Sequence, residues 1–277
     1  MSYRIIGDSC VDTNEKMEKE LELIKVPFSV NIGEKVIVDE DIDLPMFLEE
    51  MNNSPEPTKT AAPSPGGFLS ALEGAKEAFI VTISSKLSAS YSNAVLAMEM
   101  AKEKCKDLQG VVIDSKSAMA GESLAALKIK EFMDLGLSVK EAGERVQQFI
   151  NNEMQTFFVL ETFDNLIKNG RMSLLKGKLA ALLHISPIMY GDDGEIRLLE
   201  TVRGNKKALR RMVEAIEERV ENIEERILVI AHCNHEERAN DVYQMVKERY
   251  RFKRIEIVPT TALGGVYSNQ GGIVLAF

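Results

Sequence analysis

"AFIVTISSKLSASYSNAVLAMEMAKEKC", residues 78–105, runs in one pass from an apolar segment through a hydroxyl-rich loop into a segment of helical length. Residues 78–83 are bulky and mostly β-favouring, which predicts a buried strand. Residues 83–94 carry five serines, at Ser84, Ser85, Ser88, Ser90 and Ser92, and almost no bulk. A helix is predicted from 90 to 105. Strand, polar loop and helix in this order form one arm of a βαβ unit, the building block of a parallel sheet covered by helices.

Outward from this stretch, the first half repeats the rhythm. "YRIIGD" (3–8) reads as a strand and turn, and "TNEKMEKELELIKV" (13–26) as a capped helix. "VPFSVNIG" and "KVIVDE" are short extended runs, and "LPMFLEEMNN" (44–53) is a helix. After the proline-rich loop "SPEPTKTAAPSPGG" a helix is predicted at 66–75. "GVVIDS" (110–115) is a further strand, with helices at 123–136 and 138–153.

The second half is different. "TFFVLET", "SPIMYGDDGEIRLLETV", "ERILVIAH", "RIEIVPT" and "GIVLAF" are strand candidates. Asp192, Asp193 and Gly194 supply hairpin-turn chemistry, so this sheet should be mixed. The expectation is an α/β chain of two domains: 1–153 with a helix-covered parallel sheet, and 154–277 with a mixed α/β sheet. A length of 277 residues suits two domains.

Composition narrows the function. A net charge of −9 argues against a nucleic-acid surface, which needs a basic footprint. No apolar run reaches the ~18–20 residues of a membrane span, and the start lacks a signal-peptide core. Cys10, Cys105 and Cys233 are odd in number and scattered, as expected for unpaired thiols in a reducing cytoplasm.

Three polar loops follow predicted strands: "GDSCVDT", "TISSKLSASYSN" and "DSKSAMAGES". In an open parallel sheet the carboxyl ends of the strands form one rim, and ligands bind in its crevice. A helix starting near Ser90 would add free N–H groups, a natural seat for an anion. The plain alternative is that Ser90 and Ser92 cap the helix while Asp8 and Asp114 form turns. Thr60 projects from the proline-stiffened loop. Arg171 follows Gly170 ahead of an amphipathic run to 188, and its guanidinium suits a carboxylate or phosphate.

The usual catalytic equipment is missing. Ser173-Leu174-Leu175-Lys176 matches S-x-x-K, but the accompanying elements are absent or out of order. "HCNH" (232–235) fits no standard zinc spacing. Hydroxyls, backbone amides and one Arg can hold an anion without reacting with it.

The order of these motifs resembles the DegV family of bacterial fatty-acid-binding proteins. The segments that carry the resemblance are Gly7-Asp8-Ser9, Thr60-Ala61-Ala62-Pro63, "SSKLSASY" (84–91), "IDSKSAMAGES", "NGRMS" and "TVRGNKKAL". The resemblance implies two α/β domains with a long-chain fatty acid in a tunnel between them and no cofactor. It implies a separate fatty acid kinase as partner, which converts the presented acid to acyl-phosphate for phospholipid synthesis. A transient contact with a membrane surface would accompany this. It also implies that Thr60 and the loop Ser88-Ala89-Ser90 bond the carboxylate, with Arg171 at the site or on the kinase-facing surface. Where the family has a His near the head group, this chain has Asn269, which can donate a hydrogen bond but carries no charge. Burying about 15 methylenes at roughly 0.8 kcal/mol each gives on the order of 12 kcal/mol before association costs. The tail would thus supply affinity, and the polar groups would prevent loss from an unpaired carboxylate. Methionines and the leucines of "LLKGKLAALLHI" are candidates for an adaptable lining. Two rivals remain at this point: an enzyme acting on a small phosphorylated or carboxylated substrate in the interdomain cleft, and a relative adapted to another amphipathic ligand.

Overall fold

The computed structural model describes residues 3–172 and 185–277. The first sheet is parallel, in the order β2 (Ile24–Val26), β1 (Arg4–Asp8), β6 (Glu77–Thr82), β7 (Gln109–Asp114). Its strands are almost continuously apolar because helices cover both faces. Those helices are α1 (Glu15–Leu21), α3 (Pro65–Leu72), α4 (Ser90–Lys104), α5 (Ala120–Asp134) and α6 (Val139–Asn152). The chain passes from β1 outward to β2 and later returns to build β6 and β7 on the other side. The loops after β1 and β6 therefore diverge, leaving a crevice at their carboxyl ends.

The helix expected over 13–26 ends early. Glu22 takes φ +47° and stops α1, after which Ile24–Val26 pairs with β1 as a three-residue edge strand. The two extended runs that follow become β3 (Ser29–Ile32) and β4 (Lys35–Val38), an antiparallel hairpin. The proline-rich segment is not wholly a loop, since Lys59–Ala61 forms β5 and completes a three-stranded sheet in the order β4-β3-β5. Three residues between prolines are too few to show alternation, so this strand is set by its partner. Helix α2 (Leu44–Asn53), capped by the Asp43 side chain on the Met46 N–H, packs Phe47, Leu48 and Met51 beneath this sheet.

The second half forms a six-stranded mixed sheet. Its order is β10 (Glu195–Arg203), β9 (Ile185–Asp192), β8 (Thr156–Val159), β13 (Ile273–Ala276), β11 (Ile227–His232), β12 (Arg254–Pro259). β9 and β10 are the expected hairpin. Asp193 and Gly194, both at positive φ (47° and 84°), make its two-residue turn. Between the strands lie α7 (Asp164–Lys168), α8 (Asn205–Glu214), α9 (Glu236–Arg249) and α10 (Ala262–Ser268). The split expected after residue 153 falls in the turn from α6 to β8. The largest apolar core is shared across that split, joining Phe79, Leu124 and Ile113 to Phe158, Val229 and Val274. No helix among the described residues is long and apolar enough to cross a membrane.

Candidate functional site

Between the parallel sheet and the mixed sheet lies a cavity with an empty volume of about 850 Å³, its open mouth included. This is within the ~300–1,000 Å³ range of small-molecule pockets. Phe28, Ile83, Met119, Phe158, Leu160 and Leu263 supply much of its apolar wall. All three hydroxyl-rich loops reach it: Cys10 after β1, Leu87 and Ser88 after β6, and Lys116 to Met119 after β7. Met119 stands at φ +54°, ψ −118°, a strained position for a side chain, with its N–H donated to Cys10 Sγ at 3.4 Å.

A polar cluster occupies the partly exposed end of the wall. Thr60, on β5, is placed by its pairing with Val30 on β3. Its hydroxyl lies 2.7 Å from the Tyr267 hydroxyl on α10. The Arg171 guanidinium stands 5.7 Å from the Tyr267 ring centre, donating from Nε to Leu87 O (3.2 Å) and from Nη1 to Asn169 O (2.6 Å). Among the described residues no carboxylate pairs with Arg171. Two backbone carbonyls take only part of its five donors, so the remainder can serve an anion. Ser88, partly exposed, lines the cavity beside Leu87.

The other expected residues stand elsewhere. Ser90 is fully buried and donates its hydroxyl to Asp8 Oδ2 at 2.6 Å. The helix start expected to receive an outside anion thus already faces an internal carboxylate. Ala89 is the N-cap of α4 and makes no side-chain cap, so neither Ser90 nor Ser92 caps this helix. Ala89 is exposed and does not line the cavity. Asn269, at φ +52° after α10, exchanges amide hydrogen bonds with Asn52 and accepts from the Gln270 N–H. It is not part of the cavity wall, whereas its neighbours Tyr267 and Ser268 are. Most of the amphipathic run after Arg171, and the S-x-x-K match, lie outside the described residues.

Sequence reasoning passed over three features. Tyr267 gives the polar cluster its second hydroxyl; it sits in "GGVYSN", where only the later Asn drew attention. The tip of the β9–β10 hairpin closes over the cavity, with Asp193 bound to Lys86 (2.9 Å) and Lys116 (2.5 Å) and Ser84 Oγ donating to Gly194 O (2.8 Å). Behind the Cys10 wall, Asp8, Asp12 and Glu122 are all fully buried. Burial raises the proton affinity of each, most strongly at Asp12 and Glu122, and pushes the Cys10 thiol up as well.

The profile of the DegV protein family matches residues 2–277. A DegV domain-containing protein of Streptococcus pneumoniae is 32% identical over 281 residues, covering 100% of this chain and 99% of the relative. Among solved structures, a DegV family protein of Ruminococcus gnavus refined with vaccenic acid is 37% identical with a TM-score of 0.94, covering 100% of both chains. The Streptococcus pneumoniae fatty acid kinase (Fak) B3 protein loaded with linoleic acid is 31% identical with a TM-score of 0.90, covering 100% of this chain and 99% of that one.

Proposed function

The chain belongs to the DegV family, and from that premise we propose that it binds a long-chain fatty acid in the cavity between its sheets and presents the carboxylate to a separate fatty acid kinase. The kinase would transfer phosphate to the acid, and this chain would act as a non-catalytic carrier in the cytoplasm. One observation carries the reading: an apolar cavity of about 850 Å³ ends at a partly exposed cluster of two hydroxyls and an Arg with no acidic partner among the described residues. Structures of relatives at 37% and 31% identity hold vaccenic and linoleic acid, which supports the same ligand class here.

In this reading the Thr60–Tyr267 hydroxyl pair, through its one free hydrogen, and Ser88 donate to the carboxylate and Arg171 neutralises it, while Leu160, Phe158 and Met119 contact the chain. Leaving the carboxylate unpaired would cost several kcal/mol, so the donors fix its position more than they add affinity. Ser90 acts indirectly, by anchoring the loop that carries Ser88. Native mass spectrometry of the purified protein, followed by solvent extraction, tests the ligand: a long-chain acid should be recovered at up to one per chain. Failure both to recover an acid and to load added oleate would refute it. The kinase role is tested by adding fatty acid kinase and ATP to the loaded protein, where acyl-phosphate should form only when both proteins are present.

A further inference from the structure

One carboxylate oxygen holds both ends of the serine loop. Asp8 Oδ2 accepts from the Ile83 N–H at 3.0 Å and from Ser90 Oγ at 2.6 Å, while Oδ1 accepts from the Cys10 N–H at 3.1 Å. Ile83 and Ser90 bracket the residues that bring Leu87 and Ser88 to the cavity wall. Oδ2 is therefore satisfied, and Oδ1 has one lone pair to spare.

Glu122, on the first turn of α5, stands beside this clamp. An oxygen of Asp8, an oxygen of Glu122 and the Cys10 sulfur all lie within 4.8 Å of one another. Glu122 is fully buried, and neither of its oxygens has a hydrogen-bond partner. The titratable groups that act on it, Asp8, Cys10 and Asp12, do not neutralise it, the two acids being of like charge and the Cys10 thiol itself pushed up by burial. Asp12, also buried, accepts from Thr260 Oγ1 at 3.0 Å. Lys25 on β2 gives its ammonium to Thr13 and Glu18. Asp39 is held by Ser9, Thr261 and the amides of Ala262 and Leu263. His232, at the end of β11, answers to Glu236 and His235. Two carboxylates this close and this buried do not both ionise, and a single proton converts Glu122 from a second acceptor into a donor.

We propose that Asp8 and Glu122 form a carboxyl–carboxylate pair sharing one proton, which makes Glu122 a positioning residue for the serine loop. The proton on Glu122 is donated toward the free lone pair of Asp8, and Asp8 stays ionised to hold Ile83 and Ser90. Burial, reinforced by the Asp8 charge, raises the proton affinity of Glu122 well above that of an ordinary glutamate. The one-proton pair is thus intact between the pH at which Asp8, its own proton affinity raised by burial, takes a second proton and the raised value of Glu122. It fails as pH rises through the raised value, where two facing charges would push the clamp apart.

This inference deepens the head-group reading, yet its test uses no ligand, so the absence of a bound acid would leave it standing. Carboxyl-¹³C NMR of the ligand-free wild-type protein should show one glutamate still protonated above the ordinary glutamate range, and Glu122→Gln should remove that signal. Amide exchange at Ile83, corrected for intrinsic rates, should lose protection by up to about tenfold per pH unit between the ordinary glutamate value and the raised one, and level off above it. In Glu122→Gln, whose side-chain amide donates without titrating, protection should stay flat. A wild-type protein whose glutamates all titrate in the ordinary range would overturn the proposal, and that measurement needs no variant. So would a protonated signal that survives Glu122→Gln, Ile83 protection that does not follow the titration, or one metal ion per chain in elemental analysis.

Discussion

Thr60 Oγ1 and the Tyr267 hydroxyl lie 2.7 Å apart, joining the small antiparallel sheet to α10 at the cavity's polar end. Either hydroxyl can donate, so the pair has one hydrogen to offer a third group while keeping its own bond. Thr60→Val and Tyr267→Phe should each weaken fatty-acid binding about tenfold, near the ~1–3 kcal/mol cost of an unmet polar group. Because the two act as a unit, the double variant should lose much less than the product of the two. Isothermal titration with oleate measures all three.

Arg171 is held flat by two carbonyls and stacked near Tyr267, a geometry that an ammonium group does not reproduce. Arg171→Leu should cost binding roughly 1.5–3 kcal/mol, the scale of a hydrogen bond to a charged group. Arg171→Lys should recover less than half of that loss. Recovery to wild-type affinity in the same titration would show that charge alone matters.

Asp193 fastens the hairpin tip to Lys86 and Lys116 across the cavity. These bonds hold its carboxyl down at about 2, below the ordinary aspartate range. The sign follows: a lowered folded value means that the latch is present above the unfolded pKa and is lost as pH falls through about 2. At neutral pH, Asp193→Asn and raised salt should both accelerate release of a fluorescent fatty acid, with little change in melting temperature because the pair is exposed. Stopped-flow release kinetics provide the check.

Gly264 lines the cavity, and a Cβ built there would stand 1.7 Å from Thr260 Oγ1 and 2.9 Å from Thr260 Cβ. Thr260 is itself buried and committed to Asp12, so it has little room to yield. Gly264→Ala should destabilise the protein by about 1–3 kcal/mol through overpacking, read as a lower urea midpoint at constant slope.

The parallel sheet was legible because β1, β6 and β7 are apolar runs set apart by segments of helical pattern. The hairpin was legible because Asp193-Gly194 has the chemistry its backbone demands. What stayed hidden was what depends on distant partners. β2 and β5 have three residues each and exist only through β1 and β3. At the site, the three polar loops announced themselves by their composition and their place after strands. The division of labour within them did not. Ser88 and Ser90 are two residues apart, but the helix start turns one toward the cavity and the other toward Asp8. Glu122 gave no signal at all, since a glutamate in the first turn of a helix is ordinary until its burial is known.

The central position of β13, with Val159 on one side and His232 on the other as neighbours of Ile273, bears on how the molecule assembles. The middle of the mixed sheet cannot be laid down by neighbouring segments, because β8 and β13 meet only after most of the second half has found its place. Until then β8 and β11 offer open edges to any other chain. Recovery from denaturant should accordingly be slow, and its yield should fall as protein concentration rises.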